Sequence, residues 1–432
     1  MLLITELQQN QNSSNMKKNL EKEIFVYADW YMYDSPKLVG KLYFSYLRGK
    51  AVYSFEYNSD WMKTGISIDP DLPLYSGKHY ALPNENFGIF KDSSPDRWGQ
   101  LLMKRRELIL ARQENREPVQ LSGIEFLMGV HDSHRMGGLR FKESEDGDFL
   151  SNDERLASPP WTSLRELEFA VEQYEKNAEL LDLESLKWIN LLIAPGSSLG
   201  GARPKADVID TKGNQWIAKF PSQNDDSDIG LWEMATHELA VLSGMTVPNA
   251  SVKKLGSNYH TYLSQRFDRT EDRKRIHYAS AMTLLQKRDG DDSDSGVSYL
   301  HLVDFIKSKC YDPKRDLKEL FRRVLFSVCV SNTDDHLRNH GFLYTESGWI
   351  LAPAFDINPN EYGSGLKLNI DEEDNSLNVD LVMSTASFYL LSGEEALAIK
   401  DEVFRAVSKW RVVAAKYKIS SSEIERKTGA FR

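Results

Sequence analysis

The 432-residue sequence predicts an α+β fold, in which a β-rich N-terminal subdomain precedes a small β-rich lobe and a large helical lobe. Three observations predict this fold. Apolar and polar residues alternate over residues 24–58, as is typical of short strands. A glycine-rich segment over 196–205 precedes two strands, one amphipathic helix and a second strand pair. From about residue 279 onward the pattern is mostly helical, with an interruption over 331–360.

Composition shifts divide the chain into four parts. The first 22 residues are rich in Asn, Gln, Ser and Lys, which predicts a flexible tail over 1–22. The segment 142–160 is acidic, rich in serine and ends in Pro-Pro, which is typical of a linker. We therefore expect an N-terminal subdomain over 23–150, a small lobe over 151–275 and a helical lobe over 276–432; the motifs below predict that the first lobe binds nucleotide and the second is catalytic.

Local signals predict the individual elements. Ser94 followed by Pro95 predicts the start of a helix that runs through Leu108, because serine caps helices and proline fits the first turn. In the next part of the chain, Gly213 lies in a four-residue turn that favours a hairpin. The elements predicted around this hairpin are a helical stretch over 163–193, strands over 206–210 and 215–220, and a helix from about 228 to 245.

The composition excludes several classes of protein. The formal net charge of −10 argues against a protein that coats nucleic acid regardless of sequence, although it leaves open a local basic patch. No apolar run approaches the ~20 residues that a membrane-spanning helix needs. The two cysteines, Cys310 and Cys329, match no CxxC pattern, so we expect neither a disulfide framework nor a cysteine zinc site. A cytoplasmic protein without membrane contact is therefore expected.

The glycine-rich segment carries the first candidate binding residues. Gly200 and Gly201 give the backbone the freedom to turn successive N–H groups toward an anion. Lys205 adds a positive charge at the end of the segment. The P-loop pattern is absent, because Ala206 follows Lys205 and no glycine stands directly before that lysine. A Gly-Gly pair alone is also typical of an ordinary turn.

Lys219 lies in the second strand after this segment, on the face opposite to Trp216 and Ala218. Such a lysine is commonly a snorkelling side chain or an edge-strand device against aggregation. Protein-kinase-like folds, however, place the lysine that grips nucleotide phosphates just after a glycine loop. We therefore interpret Lys219 as a nucleotide-binding and catalytic residue. Of the two carboxylates on the following helix, Glu233 is preferred over Glu238 as its partner; a solvated surface carboxylate is the alternative.

The strongest signal is a polar run over 331–340 between an apolar helix and a short strand. Asp334 and Asn339 are five residues apart, which is the Asp-to-Asn spacing of a kinase catalytic loop. A hydroxyl nucleophile needs a carboxylate to orient it and to accept its proton, and an amide oxygen can hold a magnesium ion. The alternative is a polar loop in which Asp and Asn cap their own backbone.

Asp356 is the last candidate in chain order. It follows a strand pair over 341–344 and 349–351 and stands between Phe355 and Ile357. Kinase-like proteins place a magnesium-binding carboxylate at this point, after the catalytic loop. A lone Asp near a proline is commonly a cap. The interpretation that the body is protein-kinase-like therefore rests on the order of four features, which are the glycine loop, the lysine, the Asp/Asn pair and this carboxylate.

Two polar features outside this order receive simpler interpretations. His131 and His134 flank a turn without the HExxH spacing of a zinc site, so they are expected to be surface histidines. The run Lys104-Arg105-Arg106 is expected to be a solvated helix face, with nucleic-acid binding as the alternative.

At these residues the sequence resembles the HipA-type toxin serine/threonine kinase family of type II toxin–antitoxin systems. The similarity extends over nearly the whole chain after the tail. Four blocks carry it, namely Gly137-Gly138-Leu139-Arg140-Phe141, Ser198-Leu199-Gly200-Gly201-Ala202-Arg203-Pro204-Lys205, Arg266-Phe267-Asp268-Arg269 and Asn332-Thr333-Asp334-Asp335-His336-Leu337-Arg338-Asn339.

The resemblance implies a role for each matching position. It implies that Asp334 is the catalytic carboxylate and that Lys219 binds nucleotide. Asn339 and Asp356 would be the Mg²⁺ ligands. Ser198 would be the autophosphorylated serine of the glycine loop. The remaining residues implied in ATP binding or modification are Gln265 and Phe267 in the hinge that meets adenine, Gly200, Gly201 and Lys205 in the loop, and Ser197 as the second choice for autophosphorylation.

The resemblance also implies the function. The expected protein is an ATP- and Mg²⁺-dependent serine/threonine kinase that phosphorylates a translation component such as an aminoacyl-tRNA synthetase. Its expected partner is a helix-turn-helix antitoxin, and DNA would be contacted only through that partner, because no helix-turn-helix segment is apparent here. Two alternatives stay open: a non-catalytic co-repressor bound to the antitoxin, and a kinase of small molecules or lipids on the same fold.

Overall fold

A computed structural model describes residues 21–151, 158–177, 181–193, 201 and 203–432. Within these residues the chain forms three antiparallel sheets, of five, four and three strands. The α+β fold predicted from the sequence is confirmed. Each sheet belongs to a different part of the chain, and the candidate site lies where the second and third parts meet.

The N-terminal subdomain is built on the five-stranded sheet, in the order β4-β3-β2-β1-β5. Its strands are β1 (Lys22–Ala28), β2 (Lys37–Leu47), β3 (Lys50–Tyr57), β4 (Lys78–Tyr80) and β5 (Leu139–Lys142). Along β1, Ile24, Val26 and Ala28 are buried, as the alternating sequence predicts. Its helices are α1 (Ser59–Met62), α2 (Gly88–Asp92), α3 (Arg97–Gln113) and α4 (Gly123–Gly129).

Helix α3 begins two residues later than a Ser94 cap would place it. The capping residue is Asp96, whose carboxylate accepts a hydrogen bond from Gly99 N at 2.8 Å. The Ser94 hydroxyl instead donates to Phe90 O at 2.8 Å and so satisfies the end of α2. The predicted helix is therefore confirmed, but the predicted cap is wrong, because the Ser94 hydroxyl is taken by the preceding helix.

The small lobe contains the four-stranded sheet, in the order β6-β7-β9-β8. Its strands are β6 (Lys205–Ile209), β7 (Gln215–Lys219), β8 (Ala250–Lys254) and β9 (His260–Gln265). Its helices are α5 (Leu164–Lys176), α6 (Leu183–Ile193) and α7 (Ile229–Leu242). Trp98 and Leu102 of α3 share a hydrophobic core with Val208 of this sheet. A helix that lies before the expected boundary at residue 150 therefore forms part of the small lobe's core.

The last part of the chain is mainly helical, as the sequence predicts. Its helices are α8 (Ala281–Leu284), α9 (Tyr299–Lys309), α10 (Pro313–Cys329), α11 (Val379–Ser384), α12 (Gly393–Val407), α13 (Trp410–Lys416) and α14 (Ser421–Arg426). Its three-stranded sheet consists of β10 (His277–Ser280), β11 (Gly341–Thr345) and β12 (Gly348–Leu351). Strand β10 was not expected, because a four-residue strand that ends directly at a helix carries little periodicity.

The expectation of surface positions is wrong for both histidines, and for the 104–106 run it is confirmed at Lys104 and Arg106, which are exposed, but wrong at Arg105. His131 and His134 are 7% and 0% exposed, and Arg266 of the hinge donates a hydrogen bond to His134 O at 2.8 Å. Arg105 is 7% exposed; it donates to the carbonyl oxygens of Tyr174 and Asn177 at the end of α5. A cation at a helix C-terminus is favourable there, since the last carbonyls carry partial negative charge.

Across the described segments, none of the helices combines the length and apolar character that crossing a membrane requires.

Candidate active site

Lys219 is the last residue of β7 and points away from the lobe's core. Trp216 and Ala218 on the same strand are packed into that core, which confirms the predicted division of faces. The ammonium Nζ of Lys219 lies 2.6 Å from Glu233 Oε1 on α7 and 2.6 Å from Asp356 Oδ1. The side chain of Lys219 is only 13% exposed, so it does not snorkel into solvent.

The charges of this triad depend on one another. Burial alone lowers the pKa of Lys219, but the carboxylates of Asp356 and Glu233 outweigh it and raise that pKa above the ordinary lysine value. Burial raises the pKa of Asp356, whereas Lys219 and Lys205 lower it to about 2. Burial, together with the charge of Asp356, raises the pKa of Glu233. Lys219 is therefore protonated and Asp356 ionised at neutral pH, a pairing suited to binding phosphate and a cation.

The backbone at Asp356 is in the left-handed region, with a φ of 59°. This conformation is uncommon for a non-glycine residue, is tolerated best by Asp and Asn, and is found at functional sites when neighbouring contacts hold it. Asn358 Nδ2 donates to Asp356 Oδ1 at 3.3 Å. Both Lys219 and Asn358 thus bind the same carboxylate oxygen, Oδ1.

The loop that follows α10 presents Asp334 to solvent and buries its neighbour Asp335. Asp335 accepts hydrogen bonds from Tyr299 Oη at 2.6 Å and Ser327 Oγ at 3.3 Å, which anchors the loop. Asn339 Nδ2 donates to Asp334 O at 3.0 Å. The five-residue spacing therefore brings the Asn side chain back onto the Asp backbone.

Three hydrogen bonds join this loop to the segment after Asp356. Asn358 N donates to Asn332 Oδ1 at 3.2 Å. Asn360 Nδ2 donates to Thr333 Oγ1 at 2.7 Å, and Asn360 N donates to Ser331 O at 3.1 Å. The residues predicted as catalytic carboxylate and as metal ligands therefore lie on two loops that are fixed to each other.

A cleft lies between the small lobe and these loops. Its empty volume, including the part that is open to solvent, is about 520 Å³. Its described lining includes Lys205, Lys219, Glu233, Gln265, Phe267 and Asp356. The structure thus brings five of the predicted site residues together with the predicted partner Glu233. Asp334 and Asn339 are outside this lining and are linked to it through the bonded loops.

The hinge contains a network of buried charged residues whose partners the sequence does not identify. The Arg266 guanidinium donates to Asp268 Oδ1 at 2.9 Å and to Asp207 Oδ1 at 3.2 Å, with all three side chains 0% exposed. Gly137 N donates to Asp268 Oδ2 at 2.7 Å, and the φ of 73° at Gly137 favours glycine. Burial raises the pKa of Asp268, but Arg266 and Arg269 lower it far below the ordinary value.

This network gives a physical reason for two of the four sequence blocks. The block at 137–141 and the block at 266–269 are distant in sequence, and the carboxylate of Asp268 ties them together at the wall of the cleft. In the sequence, the run Arg266-Phe267-Asp268-Arg269 was the only indication of this network. A sequence does not reveal which partner compensates a buried charge, so the contact was not predictable.

Only part of the glycine-rich segment belongs to the described residues. Gly201 has a φ of 94°, and its carbonyl oxygen accepts a hydrogen bond from Trp98 N at 3.3 Å. The predicted residues Ser197, Ser198 and Gly200 lie outside the described residues. Lys205 lines the cleft as expected, and its Nζ lies 2.9 Å from Asp96 Oδ2 at the start of α3.

The donor set suits a metal ion that is shared with a phosphate group. Among the residues that the structure describes, no group of three or more His, Cys, Asp or Glu side chains is arranged so that it could hold a metal ion. The predicted ligands are one carboxylate and one amide, Asp356 and Asn339. The amide nitrogen of Asn339 is engaged by Asp334 O, which leaves its oxygen as the ligand atom. Oxygen ligands supplemented by substrate phosphates are what Mg²⁺ prefers.

Comparison with known proteins places this geometry in context. A family model described as the HipA-like C-terminal domain matches residues 197–411. A provisionally named kinase of Haemophilus influenzae is 29% identical over 181 residues, which cover 38% of this chain and 52% of the relative. A second one, Y4mE of Sinorhizobium fredii, is 26% identical over 148 residues, covering 33% of each chain. The chain thus spans about half or less of the length of these curated relatives.

A solved structure extends the comparison to the fold. HipA of Shewanella oneidensis MR-1, in a complex with HipB and operator DNA, superposes with a TM-score of 0.65. The match covers 94% of this chain and 95% of that one, at 19% sequence identity. A likeness at this identity shows the fold, and it confirms the predicted two-lobed, kinase-like arrangement with an N-terminal subdomain.

Proposed function

Because this chain belongs to the HipA-type family, we propose that it is an ATP- and Mg²⁺-dependent serine/threonine protein kinase and the toxin of a toxin–antitoxin system. The observation that carries the proposal is the position of Lys219, within 2.6 Å of both Glu233 and Asp356 at one cleft. A lysine held between a helix carboxylate and a metal-binding carboxylate is the phosphate-gripping arrangement of kinases.

In the proposed complex, each part of the cleft binds a different part of ATP. The hinge residues Gln265 and Phe267 meet the adenine, and Lys219 binds the phosphates. Gly200, Gly201 and Lys205 form the cradle around the phosphates. This assignment is supported by the cleft lining, which includes the hinge and both lysines.

Asp356 and Asn339 would hold Mg²⁺ through a carboxylate and an amide oxygen. When bound, the ion would neutralise charge on the phosphate oxygens of ATP. The hydrogen bond from Asn339 Nδ2 to Asp334 O supports this proposal, because it joins the predicted metal ligand to the backbone of the predicted catalytic residue.

Asp334 performs the proton chemistry of the proposed reaction. Its carboxylate orients a seryl or threonyl hydroxyl and accepts the hydroxyl proton. The hydroxyl oxygen then forms a bond to the γ-phosphorus while the bond from that phosphorus to the β–γ bridging oxygen breaks, so that ADP leaves. The exposure of Asp334 supports this role, because a protein substrate has to reach it. Positioning and charge compensation supply most of the rate of such a reaction.

Regulation is proposed to act through the glycine-rich segment. Ser198, with Ser197 as second choice, is the proposed autophosphorylation site. A phosphate there adds about −1.5 to −2 charge to a segment that is itself proposed to bind phosphate, so repulsion would disfavour ATP. The modified protein is therefore the inactive form.

The proposed partner is a helix-turn-helix antitoxin, and DNA is contacted only through it. The Shewanella HipA structure, which contains HipB and operator DNA, supports this proposal. The proposed substrate is a translation protein such as an aminoacyl-tRNA synthetase. The free, buried cysteines Cys310 and Cys329 support a reducing, cytoplasmic setting.

Incubation of the purified protein with [γ-³²P]ATP, Mg²⁺ and a bacterial lysate tests this function. We expect label in a lysate protein and in the chain itself, with mass spectrometry locating phosphate at Ser198 or Ser197. A protein that consumes no ATP would be the co-repressor of the first alternative. Label found in the lipid or small-molecule fraction, with none in protein, would establish the second.

A further inference from the structure

Lys427 is a buried lysine that the proposed reaction does not use. It is 6% exposed, and burial of an ammonium group is costly unless it is paired. Its Nζ donates to Pro359 O at 3.1 Å and also pairs with the carboxylate of Glu361, whose side chain is 8% exposed. Pro359 and Glu361 lie three and five residues after Asp356. Lys427 therefore fixes the backbone and a side chain of the loop that carries the proposed metal ligand.

The segment 420–432, which contains α14 and Lys427, also contacts the start of α7. Glu423 Oε2 accepts a hydrogen bond from Trp232 Nε1 at 3.1 Å and from Asp228 N at 3.4 Å. Trp232 is the residue directly before Glu233. The helix that presents the carboxylate partner of Lys219 is thus held by the same segment.

A third contact of the 420–432 segment reaches the end of α10. Arg432 N donates to Cys329 O at 2.9 Å, directly before the loop that carries Asp334. The ring of Phe431 stacks on Trp410, with a centroid distance of 4.3 Å and an interplanar angle of 7°. Three of the parts of the chain that supply the site, namely α7, the loop after Asp356 and the end of α10, therefore contact this one short segment.

We propose that Lys427 is a positioning residue, which acts through the loop over 356–361 to keep Asp356 within reach of Lys219. The 420–432 segment thereby couples α7 to the proposed metal-binding loop. The left-handed backbone of Asp356 needs such support, because neighbouring contacts must maintain a strained conformation. The expected effect of Lys427 on Mg²⁺ and ATP binding rests on the proposed function. Its effect on the 356–361 loop can be measured without assuming that function.

The test compares Lys427→Met with Lys416→Met in the full chain. Lys416 offers a matched control, because its Nζ binds Glu238 Oε2 of α7 at 2.6 Å and is not bonded to the 356–361 loop. The first measurement is amide hydrogen exchange without nucleotide. We expect faster exchange over residues 356–361 in Lys427→Met, and exchange like the wild type there in Lys416→Met.

The second measurement is the Mg²⁺ dependence of ATP binding. Loss of a residue that orients a metal ligand weakens metal affinity, so the Mg²⁺ concentration for half-saturation should rise about tenfold in Lys427→Met. A merely structural role would lower the melting temperature but leave that concentration unchanged. If the single variant does not fold, Lys427→Met combined with Glu361→Gln removes both charges and is measured instead.

The outcomes separate the two proposals. Wild-type exchange over 356–361 and wild-type Mg²⁺ dependence in Lys427→Met would overturn the positioning role. A wild-type protein that binds no MgATP would instead overturn the proposed function, and faster loop exchange in the variant would then still show that Lys427 holds the loop. Equal effects in Lys427→Met and Lys416→Met would also contradict the inference, since the control does not touch the loop.

Discussion

Replacement of Asp334 by Asn is expected to reduce phosphoryl transfer to protein about a thousandfold, because an amide cannot accept the hydroxyl proton. ATP binding should stay close to that of the wild type, since Asp334 is exposed and lies outside the cleft lining. The rate is measured as initial transfer from [γ-³²P]ATP, and the affinity by calorimetry on the same preparation.

Asp335→Asn is the matched control for this prediction. Asp335 is 5% exposed and accepts a hydrogen bond from Tyr299, so its loss should lower the melting temperature as well as the activity. Asp334→Asn should melt like the wild type. Transfer by Asp334→Asn within tenfold of the wild-type rate would exclude this carboxylate as the proton acceptor.

Replacement of Lys219 by Met is expected to lower turnover about a hundredfold, the scale seen when one preorganised charge partner is removed from an active site. The buried carboxylate of Glu233 and the half-buried carboxylate of Asp356 would then lie close together without their counter-charge. The phosphates of ATP would then lie near negative charge at the position where the wild-type protein has an ammonium group. Steady-state kinetics should therefore show a fall in kcat together with a rise in KM for ATP.

Lys212→Met provides the control for the lysine prediction. Lys212 is an exposed lysine in the hairpin turn that precedes β7, and it lies outside the cleft lining. It should keep wild-type kinetics. A Lys219→Met protein with unchanged KM and kcat would contradict the role of Lys219, whatever the substrate proves to be.

The sequence allowed the fold and the order of the site residues to be predicted, for identifiable physical reasons. Period-two alternation is seen in β2, where Leu42 and Phe44 are buried and their neighbours are less so, and the five-residue spacing of Asp334 and Asn339 can be read from the sequence itself. Lys219 was identified because it lies in the second strand after the glycine-rich segment, where kinase-like folds place the phosphate-binding lysine. Each of these signals is local, so it can be read without knowing which segments meet.

The features that were missed depend on contacts between distant segments. His134 and Arg105 lie in polar stretches of sequence that are typical of the surface, yet both are buried. Carbonyl oxygens or packed elements from distant parts of the chain surround them. Likewise, the pairing of Arg266 with Asp207 joins residues that are 59 positions apart. A buried charge is stable only with its partner, and the sequence pattern contains no information about that partner.

The most direct test of the account is a calorimetric titration of ATP into the wild-type protein and into Asp356→Asn, each with and without Mg²⁺. The account predicts one ATP site per wild-type chain, with affinity raised about tenfold by Mg²⁺, because carboxylate, amide and phosphate oxygens would share the ion. In Asp356→Asn, Mg²⁺ should no longer strengthen binding. Wild-type binding that is independent of Mg²⁺, or Mg²⁺ enhancement that survives in Asp356→Asn, would contradict a single cleft built around Lys219 and Asp356.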